Sequence, residues 1–279
     1  MTLTNASAAT AIRVLNQCST ELELAGPWRW KCVVQNGARQ SLMVTLGDGF
    51  LELAGQPEES GATVRALEEA LRANRMLPGG VRFALEGSDL RRRADLLLRE
   101  ETALLARFRW TLAGFHPSPF ESYNAYLGDP SNSGPQPALG ELLRETRWAC
   151  TERGPNVYSV DLGSSVATSA TICAQNSGLA LSAELVRGTP ARPAALQALT
   201  LFLLTANSVV RGARAYRVDE EDQQAFGFQV CLPAAPTAGE LEEGLAALSV
   251  ALRSCAREAK VLLDDAAARC YLSVREVQS

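Results

Sequence analysis

The chain carries one histidine, His116, and that scarcity removes much of the usual proton-transfer chemistry. A serine or cysteine nucleophile activated by histidine would need this single ring within reach. His116 stands in Gly114-Phe115-His116-Pro117, where a polar residue ending a helix accounts for it. No Gly-x-Ser-x-Gly elbow occurs, and Gly163-Ser164-Ser165 reads as a turn between strands. No Walker loop or Gly-x-Gly-x-x-Gly precedes a helix, since Gly47-Asp48-Gly49 lies between strands, where a hairpin turn explains it. The sequence therefore reads as non-enzymatic, with no cofactor.

Metal ligation lacks its spacing signals as well. The seven cysteines form no Cys-x-x-Cys pair or ligand cluster. Cys32, Cys150, Cys173 and Cys231 lie in apolar, strand-like runs, as buried reduced thiols do, and such thiols belong in a reducing cytoplasm. The acidic run Asp219–Asp222 lacks the ligand spacing and central glycine of a calcium loop and reads as a solvated turn. Long apolar runs are missing: the most apolar helix, Ala194–Ala206, contains Gln197 and falls short of the roughly 20 residues that span a bilayer. The N-terminus has no signal-peptide pattern. Basic charge is scarce too, with a formal net charge of −4 and a pI near 5.3, against an electrostatic nucleic-acid binder. Arg91-Arg92-Arg93, flanked by Asp89 and Asp95, reads as the exposed start of a hairpin strand.

What the sequence does contain is a plan used twice. Pro193–Asn207 is a helix with Leu196, Leu199, Phe202, Leu203 and Ala206 at helical spacing, ended by Asn207, a residue that tolerates the left-handed conformation a helix C-terminus often needs. Ala213–Val218 and Ala225–Leu232 follow as a hairpin around the polar turn Asp219–Gln223. Earlier, Ala73-Asn74 closes a helix, and Val81–Leu85 and Ala94–Leu98 make a hairpin. The separation of Asn74 from Asn207 is 133 residues, as is that of Leu85 from Val218. Residues 128–137, GDPSNSGPQP, read as a linker near the middle of the chain. Two domains follow, 1–127 and 138–279.

The first half begins with an amphipathic helix over residues 8–18. Gly26-Pro27 breaks the chain before a strand placing Trp28, Trp30 and Cys32 on one face. Gln35-Asn36-Gly37 and Gly47-Asp48-Gly49 are turns of a meander through Ser41–Leu46 and Phe50–Ala54, and Gln56–Gly61 is a polar loop. A helix over 62–74 has Val64, Leu67, Ala70 and Leu71 on its core side. A further helix covers Glu101–Ala113, and Phe120–Leu127 is a short one. In the second half, Leu139–Arg144 is a short helix, and Arg147-Trp148-Ala149-Cys150 echoes Arg29-Trp30-Lys31-Cys32. Val157–Leu162 parallels Leu42–Leu46, and Val166–Ala174 and Leu179–Val186 are strands. Thr237-Ala-Gly-Glu240 has the form of a capping box and starts a helix with the stripe Leu241, Leu245, Leu248 and Leu252. The pattern continues to Tyr271 with a bend near Cys255.

The progression helix, Ala-Asn, hairpin, Leu-Pro, capped helix over Leu199–Leu245 resembles the type III secretion chaperone-like fold, shared with YbjN-like proteins. The resemblance is looser in the first half, where LLLREETALL replaces the Leu232-Pro233 and Thr237 features. It implies an α+β fold, two tandem helix–antiparallel sheet–helix sandwiches, without catalytic residues. It also implies a protein that holds a segment of a partner protein, such as a secreted client. The family's homodimer implies that the halves pair within one chain as a pseudo-dimer, or between chains. Trp28, Trp30, Phe50 and Trp148 then stand as candidate anchors, aromatic residues being strong contributors to binding, with Leu241 and Leu245 as a candidate helix surface. Two alternatives stay open: a structural or regulatory module that bridges partners, and an enzyme built on a polar pocket around His116.

Overall fold

A computed structural model describes residues 5–36, 38–116, 139–163, 169–175, 178–187, 192–220 and 223–276. The first half runs α1 (Asn5–Cys18), β1 (Ser19–Gly26), β2 (Arg29–Asn36), β3 (Ala38–Gly47), β4 (Phe50–Ser60), α2 (Val64–Ala73), β5 (Arg82–Glu86), β6 (Asp89–Leu97) and α3 (Glu101–Phe115). The second runs α4 (Leu139–Arg144), β7 (Cys150–Gly154), β8 (Val157–Asp161), β9 (Ser169–Gln175), β10 (Gly178–Arg187), α5 (Pro193–Val209), β11 (Arg214–Glu220), β12 (Gln223–Leu232), α6 (Ala238–Val261) and α7 (Asp265–Glu276). Each half forms one six-stranded sheet. The orders are β1-β2-β3-β4-β6-β5 and β7-β8-β9-β10-β12-β11, with every pairing antiparallel. The fold is α+β, and its two sheets share one topology.

Several expectations need correction. Strand β1 was not foreseen: most of its residues are exposed, so no apolar alternation marks it. Trp28 leaves the strand face shared by Trp30 and Cys32, because it occupies the tip of the β1–β2 hairpin at φ 57°. Gln56–Ser60 is no loop; it continues β4 through two register shifts. Arg91-Arg92-Arg93 lies inside β6, and Arg92 is buried. Val64 faces outward. The echo of Trp30 in Trp148 slips by one strand: Trp30 is in β2, whereas Trp148 precedes β7, the counterpart of β1. Likewise Val157–Asp161 corresponds to β2, not β3. The bend of the last helix comes at Leu262–Asp264, beyond Cys255. Gly37, Phe120–Leu127, the 128–137 linker and Ser164–Ser165 lie outside the described residues.

Asn74 closes its helix as expected, whereas Asn207 does not end its own. Asn74 caps α2 with right-handed angles, and Asn207 sits inside α5; both are fully buried. Their side chains tie helix to hairpin. Asn74 Oδ1 accepts from Phe83 N at 2.6 Å, and Asn207 Oδ1 accepts from Ala215 N at 2.7 Å. Each amide also crosses to the other half. Asn74 Nδ2 donates to Ala215 O (3.0 Å), and Asn207 Nδ2 donates to Phe83 O (2.9 Å). Phe83 and Ala215 are thus equivalent, which puts Leu85 opposite Arg217 and shifts the sequence pairing of Leu85 with Val218 by one residue.

Around these bonds the halves share a core. Leu67, Ala70 and Leu71 of α2, with Leu85 and Leu90 of the β5–β6 hairpin, belong to the same buried cluster as Leu199, Leu203, Phe226 and Leu245. A separate cluster under α1 and α3, with Leu15, Leu51 and Phe108, fills the rest of the first half. The edge strands β5 and β11 are covered by α5 and α2 of the opposite half, which removes two exposed sheet edges.

Replacing Asn207 by alanine leaves the Ala215 amide buried without an acceptor, at a cost of about 1–3 kcal/mol. Urea denaturation should show that loss. Because both asparagine amides donate to Phe83 O, the Asn74→Ala, Asn207→Ala pair should depart from additivity; additive losses would contradict the shared network.

Candidate binding groove between the halves

Two buried arginines build the site. Arg82 opens β5 and Arg214 opens β11, each 2% exposed. Arg82 Nε donates to Asn207 O (2.7 Å) and its Nη2 to Val210 O (3.0 Å), at the C-terminal end of α5. Reciprocally, Arg214 donates to Arg75 O (3.2 Å) and Leu77 O (2.5 Å) just beyond α2. Cations suit helix C-termini, where unpaired carbonyls and the helix dipole present negative potential. Each half thus completes the other's helix, as an isologous two-fold interface does.

The electrostatic surroundings of the two arginines differ. Arg82 Nη2 meets Asp95 Oδ2 at 2.6 Å in a fully buried ion pair. Arg214 meets neutral acceptors: Gln229 Oε1 at 2.9 Å, Val81 O at 2.9 Å and Cys231 Sγ at 2.8 Å. Among the described residues no carboxylate pairs with it. Burial pulls its pKa down, with Arg82 adding repulsion.

Above this pair opens a groove of about 640 Å³ between α3, α6 and the end of α5. Phe50, Trp110, Val209, Val210 and Val250 supply apolar lining, with Asp95, Cys231, Arg99 and Arg107 among the polar groups. Ion pairs tie the walls together, Arg99 to Glu243 and Arg107 to Glu240 (3.8 Å). Arg107 lies over the Trp110 ring, 4.9 Å from its centre. Its Nη1 is buried without a hydrogen-bond partner among the described residues. Gly79 permits this close packing: a Cβ there would stand 2.7 Å from the Thr111 backbone, and φ is +70°.

The sequence candidates scatter. Phe50 lines the groove, its ring 5.2 Å from the Arg211 guanidinium. Trp28 is 38% exposed at its hairpin tip, far along the sheet order from β6. Trp30 is buried in the first core, and Trp148 is half-buried against the second. Leu241 and Leu245 are fully buried, which gives them a core role and no surface for a partner. His116 caps α3, and its carbonyl accepts from Arg92 Nη1 at 2.5 Å. Arg82, Arg107, Arg214 and Trp110 were missed. An isolated arginine at the start of a strand looks like any solvated charge until the second half covers it.

Among the described residues no group of three or more histidine, cysteine or acidic side chains could hold a metal ion, and no helix is long and apolar enough to cross a membrane. No family model matches the chain, and neither a curated protein nor a solved structure shows significant similarity to it.

The seven cysteines are free thiols with graded access. Burial pushes Cys32 up to about 12 and Cys255 to about 11, from an ordinary 9.0. Folded-state values above the unfolded ones mean that these thiols stabilise the fold fully below about pH 9. That contribution is lost as pH climbs toward 11 and 12. The urea midpoint should therefore fall above pH 9, and iodoacetamide near neutral pH should label exposed Cys270 before Cys32 or Cys255. Early labelling of Cys32 would contradict the packing of the first core.

Proposed function

We propose that the protein is a non-enzymatic module that holds an extended segment of another protein along an open sheet edge and keeps that segment soluble. The observation that carries this reading is the difference between the two edges of each sheet. The β5 and β11 edges are sealed by helices from the opposite half. Among the described residues, strands β1 and β7 have a neighbouring strand on one side only. An eight-residue edge with unpaired backbone groups is a template for an added strand. Beside it stand Leu24, 70% exposed, and Trp28. Trp28 is a bulky side chain held in the left-handed region, where conformational strain accompanies functional positions. Glu21 and Glu23 flank this edge with charge, which opposes self-pairing.

The resemblance to type III secretion chaperones supports the same reading, with a secreted client as the partner and a reducing cytoplasm as the setting for its free thiols. A second reading follows from the repeated open edge in β7: one partner on each half, bridged without chaperoning.

A photoreactive residue at position 24 should give one discrete adduct with one protein segment in the native cytoplasm, and the same residue at exposed position 274 should not. Leu24→Asp should reduce capture of that segment severalfold. Identical adducts from both positions, or none from position 24, would contradict edge binding. A second, different protein captured from the β7 edge would select the bridging reading.

A further inference from the structure

The two halves place different groups at one equivalent position. Arg82 faces Arg93 across the β5–β6 ladder, and Arg214 faces Gln229 across β11–β12. Two residues further along, Asp95 and Cys231 each lie within hydrogen-bonding distance of their own arginine, at 2.6 and 2.8 Å. The first half therefore supplies its buried guanidinium with a carboxylate, and the second half supplies a thiol. Burial pushes the Cys231 thiol up, against the opposing pull of Arg214 and Arg107, so the sulfur does not provide the missing charge.

A count of the surrounding charges gives the same answer. Arg82 pairs with Asp95, Arg211 with Glu52 (2.5 Å), Arg99 with Glu243 and Arg107 loosely with Glu240. Arg214 has no carboxylate among the described residues. The Arg107 guanidinium lines the groove, and its Nη2 stands 3.8 Å from Glu240, too far for a full hydrogen bond. Cys231 lines the groove, 2.8 Å from Arg214 Nη2, and Arg107 also bears on its charge. The groove volume of about 640 Å³ falls in the range of about 300–1,000 Å³ typical of small-molecule sites. Trp110, Val209 and Val250 give it an apolar wall beside that corner, and the Arg99–Glu243 and Arg107–Glu240 pairs also line it.

We propose that this groove binds a small amphipathic monocarboxylate. Its carboxylate lies beside Cys231 at the Arg107 guanidinium, bringing to the second half the charge that Asp95 brings to the first. Its apolar body lies against Trp110, Val209 and Val250. The site is separate from the open edge of β1, and each stands or falls by its own test.

Decanoate is the probe, titrated calorimetrically into the full-length protein beside decanol and decylammonium. Saturable one-to-one binding of decanoate is expected, with the alcohol and the amine at least tenfold weaker. Cys231→Asp places the carboxylate in the chain; it should raise Tm and abolish decanoate binding, whereas Cys231→Ser should keep both near the parent protein. Arg107→Gln provides a second route should Cys231→Asp fold poorly, and it should weaken decanoate at least tenfold. Equal binding of decanol, or unchanged decanoate binding in Arg107→Gln, would overturn the proposal. So would binding of acetyl-Leu-Asp-Leu-amide in place of decanoate, which would assign the corner to a protein side chain.

Discussion

Arg82 and Arg214 each place a guanidinium where water has been expelled, and a buried cation must find acceptors with the right geometry. The acceptors here are carbonyls at the ends of helices belonging to the other half. Neither arginine can be satisfied by its own sheet alone, so the contact is reciprocal. The planar fork of arginine suits this duty, since it reaches several carbonyls at once with little further loss of freedom. All but two of the chain's basic residues are arginine, the exceptions being Lys31 and Lys260. Ion pairs from Arg72 to Asp219 and from buried Arg217 to Glu68 frame the same interface; partial exposure makes the first worth little.

The two halves share a topology and differ in their side chains, and that difference shapes the groove. Strand order and hairpin connections are the same in the two halves, while the side chains along the shared interface are not. Glu52 and Asp95 pair across β4 and β6, and Ala180 and Cys231 occupy the matching ladder in β10 and β12. Leu85 is apolar where its equivalent Arg217 is charged. A strictly symmetric pair would have placed two identical walls around the two-fold axis. These walls differ, with charge concentrated on the first half and uncompensated on the second. Binding chemistry can arise at such a place while the fold stays intact.

Element type was largely legible in the sequence. Period-3.6 apolar spacing identified α2, α3, α5 and α6, and the Thr237–Glu240 capping box is formed as read. Asp48-Gly49 turns the β3–β4 hairpin, with both residues at positive φ. The failures share one physical origin: the sequence pattern reports local burial and not the partner that causes it. Asn74 and Asn207 stood out correctly, yet their role is cross-interface hydrogen bonding and not helix reversal. Edge strand β1 escaped notice because exposure erases the alternation that marks a strand. The groove residues come from segments far apart in the chain, and no local signal joins Arg107 to Cys231 or Arg82 to Val210.

The buried arginines and asparagines join the halves into one cooperative unit. Native-state hydrogen exchange tests it most directly, because it resolves opening free energy element by element. Amides in β5, β6, β11 and β12 should exchange through one global opening with a common free energy, and Arg82→Met should lower all four together. Two separate openings, with the second sheet unaffected by Arg82→Met, would contradict it.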